Sequence, residues 1–515
     1  MPDYDKHRLQ NSSVLDPDIA VSEASPELLK KTAVGNLDSV LLRGVAWTAA
    51  VKWLTQVFAW GTTVVVARLL LPSDYGLVGM AAVYINLFTL FSEFGIGTAV
   101  VTLQDLQEDQ ISQLNSLSVF VGLIGFLVSS AVAFPLGKFF RAPGLPLVVV
   151  VLSVGFVVSG LRTVPFSLLQ KEMRFKLLAV IEGMQGFVQA LVTLLLAFFG
   201  FRYWALVLGI LSFSVTPTVL TLIWRRHRFA VPHMASIRRA VHYGRHILVG
   251  RLSWAVSNDS DFIVAGRVLG EAPLGAYTLA WTLAHTPLEK LTTLVNRVTP
   301  SFFAQIQTQP QALRRYFRNI TGVVALVIFP ATFGLALVAP EFVSVVLGAK
   351  WLGVIIPLEL LALHATIRSN VVLLTPLLNV IGEERLVMWN SIVAMFVLPI
   401  CFYIGSRWGT AGIASGWILI YPLLQIPLFL RMFRKIHLPA SEYLRSVWPA
   451  VSGCAVMAAF VVGLKYFARG FLPVYAQLIA EIFVGGIAYS LTLLLLHRAY
   501  LRGILQFARR NRTPA

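Results

Sequence analysis

The stretch GRLSWAVSNDSDFIVAGRVLG, residues 250–270, is apolar at both ends yet carries Arg251, Asn258, Asp259 and Asp261 between them. Its length is that of a transmembrane helix, because about 20 helical residues cross the ~30 Å hydrocarbon core of a bilayer. A charged side chain at the centre of such a span costs roughly 2.5–3.5 kcal/mol on insertion scales. The stretch therefore indicates a bundle in which this polar face meets protein, water or a ligand instead of lipid.

Similar apolar runs recur along almost all 515 residues of the chain. Hydrophobic residues make up 57% and charged residues 13%, whereas a soluble domain has about 25% charged residues. Because backbone groups inside a bilayer must pair within their own segment, we expect helices. The prediction is an all-α polytopic membrane protein with about 14 transmembrane helices, at 45–67, 76–101, 115–138, 146–168, 177–199, 203–224, 245–267, 275–299, 319–339, 352–376, 386–405, 410–430, 447–467 and 474–496.

The net charge of +18 is unevenly distributed over this arrangement. Lys and Arg are in roughly threefold excess on the side that holds the N-terminus, which favours cytoplasmic positions for both termini. Residues 1–44 are polar and are predicted to be a disordered cytoplasmic tail, and 497–515 a basic one. The basic segment 225–245 is explained by its cytoplasmic position and by attraction to anionic membrane lipids, so we expect no nucleic acid partner.

Two regions of the sequence repeat each other at an offset of 199 residues. ARLLLPSDYGLVGMA (67–81) and GRVLGEAPLGAYTLA (266–280) share Arg68/Arg267 and Gly76/Gly275, read as membrane-edge anchors and turn residues. Six predicted spans separate the copies, so the repeat is parallel, about an axis along the membrane normal. The same offset aligns Lys52 with Arg251, which predicts cations at matching depth on two facing walls.

Helical spacing places the polar residues of the spans on stripes. Arginine suits a phosphate-bearing ligand because its fork donates two parallel hydrogen bonds, and carboxylates near the midplane suit H⁺ or Na⁺. No catalytic residue, metal site or cofactor is predicted, since no Walker A loop, Cys/His metal spacing or nucleophile elbow occurs. The predicted substrate-cavity residues are Lys52, Arg251, Trp254, Asn258, Arg297, His364 and Arg368. The predicted ion-coupling residues are Glu93, Asp259, Asp261 and Glu289.

Several segments resemble bacterial polysaccharide exporters, the Wzx-like flippases, whose superfamily also contains multidrug extruders and the lipid II flippase. They are ARLLLPSDYGLVGMAAVYINLFTLFSEFGIGTAVV (67–101), RTVPFSLLQKEMRFK (162–176), SDFIVAGRVLGEAPLGAYTLAWTLAHTPLEKL (260–291), RVTPSFFAQIQ (297–307) and LGAKWLGVIIPLELLAL (347–363). The resemblance implies two pseudo-symmetric six-helix lobes around a central cavity, 45–224 and 246–430, joined by the linker 225–245, and two further helices within 431–496.

The resemblance also implies a function and a cellular setting. The expected activity is alternating access that carries an undecaprenyl-pyrophosphate-linked oligosaccharide across the bacterial cytoplasmic (inner) membrane for polysaccharide biosynthesis. Helices one, two, seven and eight typically line the cavity in this superfamily, which places Lys52, Glu93, Arg251 and Glu289 on its wall, with Asp259 and Asp261. A polysaccharide polymerase and chain-length machinery are the expected protein partners.

Two other functions stay open at this point. A cation-coupled multidrug extruder shares the superfamily, but its cationic substrates favour an acidic cavity, whereas the span charges here include as many bases as acids. A membrane polymerase or ligase that uses the same lipid-linked sugars needs a sizeable outer loop with catalytic residues, and every predicted outer loop is short. The chain is therefore predicted to be a transporter and not an enzyme.

Overall fold

The computed structural model describes residues 60–93, 96–103, 105–233, 258–468 and 471–503, with side chains except at 87–93, 175, 293–298, 300 and 301. All the regular elements in these ranges are helices, as the composition predicts. In the N-terminal half they are α1 (Trp60–Leu69), α2 (Pro72–Glu93), α3 (Ile96–Thr102), α4 (Glu108–Phe140), α5 (Leu145–Lys171), α6 (Phe175–Phe198) and α7 (Tyr203–Trp224).

The C-terminal half continues with longer and more interrupted helices. They are α8 (258–269), α9 (Glu271–Gln305), α10 (Pro310–Leu337), α11 (Ala339–Phe342), α12 (Ile355–Ser369), α13 (Leu374–Val380), α14 (Glu384–Gly405), α15 (Gly409–Lys435), α16 (Ala440–Ala468) and α17 (Val474–Leu496). A π-helical turn, Val343–Leu347, and a 3₁₀ segment, Ala349–Val354, connect α11 to α12.

Membrane spans can be counted only within the described residues, which omit most of the predicted spans 45–67 and 245–267. Nine helical segments there are long and apolar enough to cross a membrane, and one of them, Glu384–Lys435, contains both α14 and α15. A tenth is counted if α1 and the start of α2, which are bent by 119°, form one broken span. Helix α9 has the length but carries Glu289, Lys290 and Arg297, and it is not among the nine. The count of fourteen is not confirmed.

The bend between α1 and α2 follows from the sequence LPSD at 71–74. Pro72 opens α2, where its missing N–H is not needed. Asp74 lies at the third helical position, and its Oδ2 accepts a hydrogen bond from the backbone N–H of Leu71 at 2.9 Å, as in the return half of a capping box. Arg202 forms an ion pair with the buried Asp74 at 3.5 Å, which ties this bend to the start of α7.

Helices α2 and α9 pack against each other through the repeated glycines. A Cβ atom added at Gly76 would lie 1.8 Å from the carbonyl oxygen of Glu271, and one added at Gly275 would lie 1.7 Å from that of Pro72. Glu271 and Gly275 are the repeat counterparts of Pro72 and Gly76, so the contact is reciprocal, as at a two-fold axis. The prediction that these glycines are turn residues is wrong: both lie inside helices, at a backbone–backbone contact.

The repeated arginines lie at the same end of the molecule as this glycine contact. Arg68 donates hydrogen bonds to the carbonyl oxygens of Val345 and Val346, the latter at 2.7 Å, and Trp351 donates to that of Ala67 at 2.7 Å. Arg267, the repeat counterpart of Arg68, lies 5.3 Å from the Phe139 ring. The ends of α1 and α8 are therefore each held by residues of the opposite half of the chain.

The last helices attach to the C-terminal half, and the predicted tail and linker are partly ordered. Helix α16 packs on α10 and α17, and Tyr489 donates to the carbonyl oxygen of Leu326 at 2.9 Å. Residues 498–503, predicted as tail, are helical, and Tyr500 donates to the carbonyl oxygen of Ser446 at 2.9 Å. The start of the linker lies along α4, where the N–H of Ala230 donates to Ser116 Oγ at 3.0 Å. Residues 1–44 lie outside the described ranges.

A charge cluster next to α14 predicts an acid-dependent loss of stability. Glu383 accepts hydrogen bonds from Arg431 at 2.9 Å and Lys435 at 3.0 Å, and these bonds, with that from Arg431 the stronger cause, lower the pKa of the Glu383 carboxyl. A carboxyl whose pKa is lowered by folding stabilises the protein above its unfolded pKa of about 4.3, and this contribution is lost as the pH falls below that value.

Glu383→Gln should therefore lower stability by up to about 1 kcal/mol near neutral pH, a small effect because both cations are half-exposed. The difference from the parent protein should vanish in acid. Thermal unfolding of the purified protein at a series of pH values measures it. Glu384→Gln, at the exposed neighbouring carboxyl, is the matched control, and an equal effect of both substitutions would contradict the assignment.

Candidate functional site

The predicted polar residues of the C-terminal half meet where α8, α9, α12 and α15 pack together. Helices α8 and α9 form a hairpin whose turn is Gly270, at φ 88°, a conformation that glycine adopts without a Cβ clash. Asp261 stands eight residues before the end of α8 and Tyr277 six residues after the start of α9, so the hairpin brings the two to the same depth. Helices α12 and α15 cover this pair.

A partly exposed polar layer lies at the start of α8. Arg368 of α12 donates a hydrogen bond from Nη2 to Oδ1 of Asn258 at 3.1 Å. The Arg368 guanidinium is also close enough to Asp259 and Glu289 to attract both carboxylates. Glu289 is exposed, whereas Asn258, Asp259 and Arg368 are half-buried. The structure thus brings together one predicted substrate arginine, its amide partner and two predicted ion-coupling carboxylates.

Asp261 lies deeper and is completely buried. Its Oδ2 accepts hydrogen bonds from the hydroxyl of Tyr277 at 2.6 Å and from Nε1 of Trp417 at 2.9 Å, and its Oδ1 accepts from the N–H of Phe262 at 3.0 Å. All three partners are neutral donors, so no cation among the described residues pairs with this carboxyl. Burial of a carboxylate with only neutral donors around it is costly, and the cost favours binding of a positive charge nearby.

Two buried histidines continue this cluster, because one of them stacks on the Trp417 ring. The His364 ring stacks on the Trp417 ring with centroids 4.8 Å apart, and its Nδ1 lies 3.2 Å from Nε2 of His285. The His285 ring stacks on Trp281, one turn earlier in α9, at 3.9 Å. Tyr421 of α15 meets His364 edge-on at 5.1 Å. We call these residues, with Asp261 and Tyr277, the histidine–aspartate cluster.

Sequence reasoning identified part of this cluster and missed the rest. Asp261 and His364 are predicted site residues, and the spacing places His285 on a polar stripe of its helix. Trp417 and Tyr277, which donate to the carboxylate, were not predicted. The chain has twelve tryptophans. Nothing in their spacing along the predicted spans distinguishes an indole that donates to a carboxylate from one that only packs against apolar side chains.

Several predicted residues remain untested by the geometry. Lys52, Arg251 and Trp254 lie outside the described residues, so the facing cations of the two repeats stay a prediction. Glu93 ends α2 and Arg297 lies in α9, but only their backbone is described. Within the described ranges, no group of three or more His, Cys, Asp or Glu side chains is arranged to hold a metal ion. The described site therefore offers an arginine, an amide, carboxylates and imidazoles.

Comparison with known proteins identifies the family. Residues 65–356 match the family described as "Polysaccharide biosynthesis protein". The chain belongs to this family. It is 25% identical over 423 residues to the lipopolysaccharide biosynthesis protein WzxC of Escherichia coli, a match that covers 79% of this chain and 84% of that protein. It is 23% identical to the succinoglycan biosynthesis transport protein ExoT of Rhizobium meliloti, covering 92% and 96% of the two chains.

Solved structures show the fold that this family member adopts. The lipid II flippase MurJ, in an inward closed conformation, superposes with a TM-score of 0.70 at 12% identity, covering 88% of this chain and 100% of MurJ. An inward-facing multidrug resistance transporter of the MATE family gives 0.59 at 16% identity, covering 74% and 94% of the two chains. The expected resemblance to polysaccharide exporters and the all-α membrane transporter fold are confirmed. The chain is a multi-pass membrane protein.

Proposed function

We propose that this chain is a flippase that carries an undecaprenyl-pyrophosphate-linked oligosaccharide from the cytoplasmic to the outer leaflet of the bacterial inner membrane. Family membership and the relatives named for lipopolysaccharide and succinoglycan biosynthesis support a polysaccharide precursor as the substrate. The observation that carries the proposal is the partly exposed Arg368, held by Asn258 inside a membrane helix bundle. Ionisable residues inside a membrane bundle are rare and mark substrate or ion pathways.

Arg368 suits a pyrophosphate group because of its geometry and its surroundings. Asn258 accepts from Nη2 only, so the rest of the guanidinium fork can face phosphate oxygens. Lys52 and Arg251 are proposed to supply further positive charge from the paired lobes. Asp259, Asp261 and Glu289 are proposed to couple the movement to an H⁺ or Na⁺ gradient, since carboxylates inside a membrane bundle mark ion pathways. Such coupling would give the transport its direction.

The reciprocal contact of α2 and α9 supports alternating access as the mechanism. The two halves of the chain meet at the Gly76 and Gly275 contact and at the ends of α1 and α8. All of these contacts lie at one end of the bundle, which the distribution of Lys and Arg predicts to be the outer end. An arrangement closed at that end leaves the opposite, cytoplasmic end to admit the substrate, and the two-fold relation of the contact lets both lobes move as similar bodies.

Loss of the gene should stop surface polysaccharide and leave its lipid-linked precursor inside. In a deletion strain we expect lipid-linked repeat units to accumulate and to resist a membrane-impermeant periodate reagent that oxidises sugars exposed outside the cytoplasmic membrane. The parent gene on a plasmid should restore both surface polymer and exposure. Normal polymer combined with increased sensitivity to cationic drugs would contradict the proposal and indicate a multidrug extruder. A precursor that becomes exposed but is not polymerised would indicate a polymerase.

A further inference from the structure

The histidine–aspartate cluster contains a basic nitrogen without a partner. Asp261 and His364 are completely buried, and His285 is 2% exposed. Nε2 of His364 has no hydrogen-bond partner among the described residues, although it is buried. Buried polar atoms in folded proteins are nearly always paired. An orphaned imidazole nitrogen inside a transporter core therefore points to a ligand that arrives during the transport cycle.

Hydrogen-bond directions determine which atom is bound by that ligand. Nδ1 of His285 lies 3.2 Å from the carbonyl oxygen of Trp281, which only accepts, so this nitrogen carries the hydrogen. In the neutral ring, Nε2 of His285 is then an acceptor, and Nδ1 of His364 must donate to it. The remaining nitrogen of His364, Nε2, then carries no hydrogen, and no donor among the described residues bonds its lone pair. The smallest ligand that satisfies it is a proton.

The atoms around His364 suit a proton better than a metal cation. Trp417 lies between His364 and Asp261, stacking on the first and donating to the second. An imidazolium on the indole face gains a cation–π interaction, and its positive charge balances the buried carboxylate that accepts from the indole N–H. Sodium prefers oxygen ligands, yet both donors on Asp261 Oδ2 direct hydrogens at that oxygen, and the unpaired atom of His364 is a nitrogen.

The titratable groups around His364 suggest how a proton would be coupled to the substrate. Helix α12 carries Arg368 one turn further on, α9 carries His285, Tyr277 and Glu289, α8 carries Asp259 and Asp261, and α15 carries Tyr421. Helix α10 contributes Thr332, which does not titrate, at 2.7 Å from Thr366. Residues four apart on a helix are about 5–6 Å apart at Cβ. The positive charge of Arg368 therefore opposes a proton on His364 until an anion neutralises it.

We propose that Nε2 of His364 is a proton-binding site whose occupancy is coupled to an anionic phosphate group bound at Arg368, with Asp261 as the buried counter-charge. The inference rests on the proposed function, since it takes the phosphate-bearing substrate from there. Binding forms one N–H bond with a proton taken from water, and release breaks the same bond. Because such coupling is reciprocal, the anion strengthens proton binding as much as the proton strengthens anion binding.

The test is a titration of ¹⁵N-histidine-labelled protein with inorganic pyrophosphate near the ordinary histidine pKa of about 6.5. One imidazole resonance, absent from His364→Gln, should change from the neutral to the protonated position as pyrophosphate is added. It should not change in Arg368→Gln. His497→Gln is the matched control, because this histidine bonds Ser452 Oγ at 2.8 Å, away from the cluster, and its removal should leave the response intact. A His364 resonance that stays neutral throughout would overturn the proposal.

Export in the deletion strain separates this proposal from the function on which it rests. We expect His364→Gln to reduce surface polysaccharide at least tenfold at an unchanged protein level, and His497→Gln to restore it fully. Full export by His364→Gln, in a strain whose deletion abolishes export, would refute the proton site and leave the flippase intact. A deletion that leaves export unchanged would refute the flippase itself, whatever the spectra show.

Discussion

Gly76→Ala and Gly275→Ala should each abolish export and lower the thermal stability of the purified protein. A methyl group at either position would lie within 1.8 Å of a backbone carbonyl oxygen of the facing helix, far inside van der Waals contact. Backbone atoms cannot rotate away as a side chain does, so α2 and α9 must separate. Overpacking of a tight contact costs roughly 1–3 kcal/mol, and we expect at least the upper value here. Surface polysaccharide and the melting temperature in detergent are the two measurements.

Matched controls for these substitutions come from helix α6. Gly183 and Gly186 are also helical glycines, but a Cβ at either meets nothing within 4 Å. Alanine is favoured over glycine in a helix by about 1 kcal/mol, so both control variants should melt at the same temperature or higher and should export normally. If Gly76→Ala behaves like Gly183→Ala, the close approach of the two helices is not needed for transport.

The glycine contact shows what the sequence predicts of the fold and what it leaves out. The 199-residue offset identified Gly76 and Gly275 as equivalent positions, because an internal repeat can be detected from the amino-acid sequence alone. It did not reveal that the two positions touch, since a two-fold contact depends on how the lobes face each other. Apolar length predicted helices correctly, yet the turn at 370–373, between α12 and α13, interrupts the span predicted at 352–376.

For the candidate site, the sequence predicts which residues share a face of one helix, but not which neighbouring helix packs against that face. The 3.6-residue period places His364 and Arg368 on one face of α12 and shows that Asp261 lies on a polar stripe. It does not show which helix covers that stripe. Trp417, 156 residues away from Asp261 in sequence, closes the carboxylate off from solvent, so a residue predicted as cavity-lining, His364, and one predicted as ion-coupling share a single buried cluster.

Arg368→Glu should reduce export about a hundredfold while leaving the protein in the membrane. The new carboxylate would lie beside Asp259 and Glu289, which Arg368 now attracts, and it would repel a pyrophosphate group. Like charges placed together cost several kcal/mol, and roughly 3 kcal/mol corresponds to about a hundredfold in rate. Membrane insertion should persist because Arg368 is half-buried and its hydrogen-bond partner, Asn258, has an amide that can donate to the new acid.

Two further variants distinguish loss of charge complementarity from general damage. Arg368→Lys keeps the charge but loses the planar fork that donates two hydrogen bonds to one phosphate, so we expect a loss of about tenfold. Arg385→Glu makes the same reversal on an exposed arginine at the start of α14, and it should export normally. If Arg368 binds an anion, export should decrease in the order Arg385→Glu, Arg368→Lys, Arg368→Glu. Equal export by both Arg368 variants would assign this arginine a structural role, as the partner of Asn258.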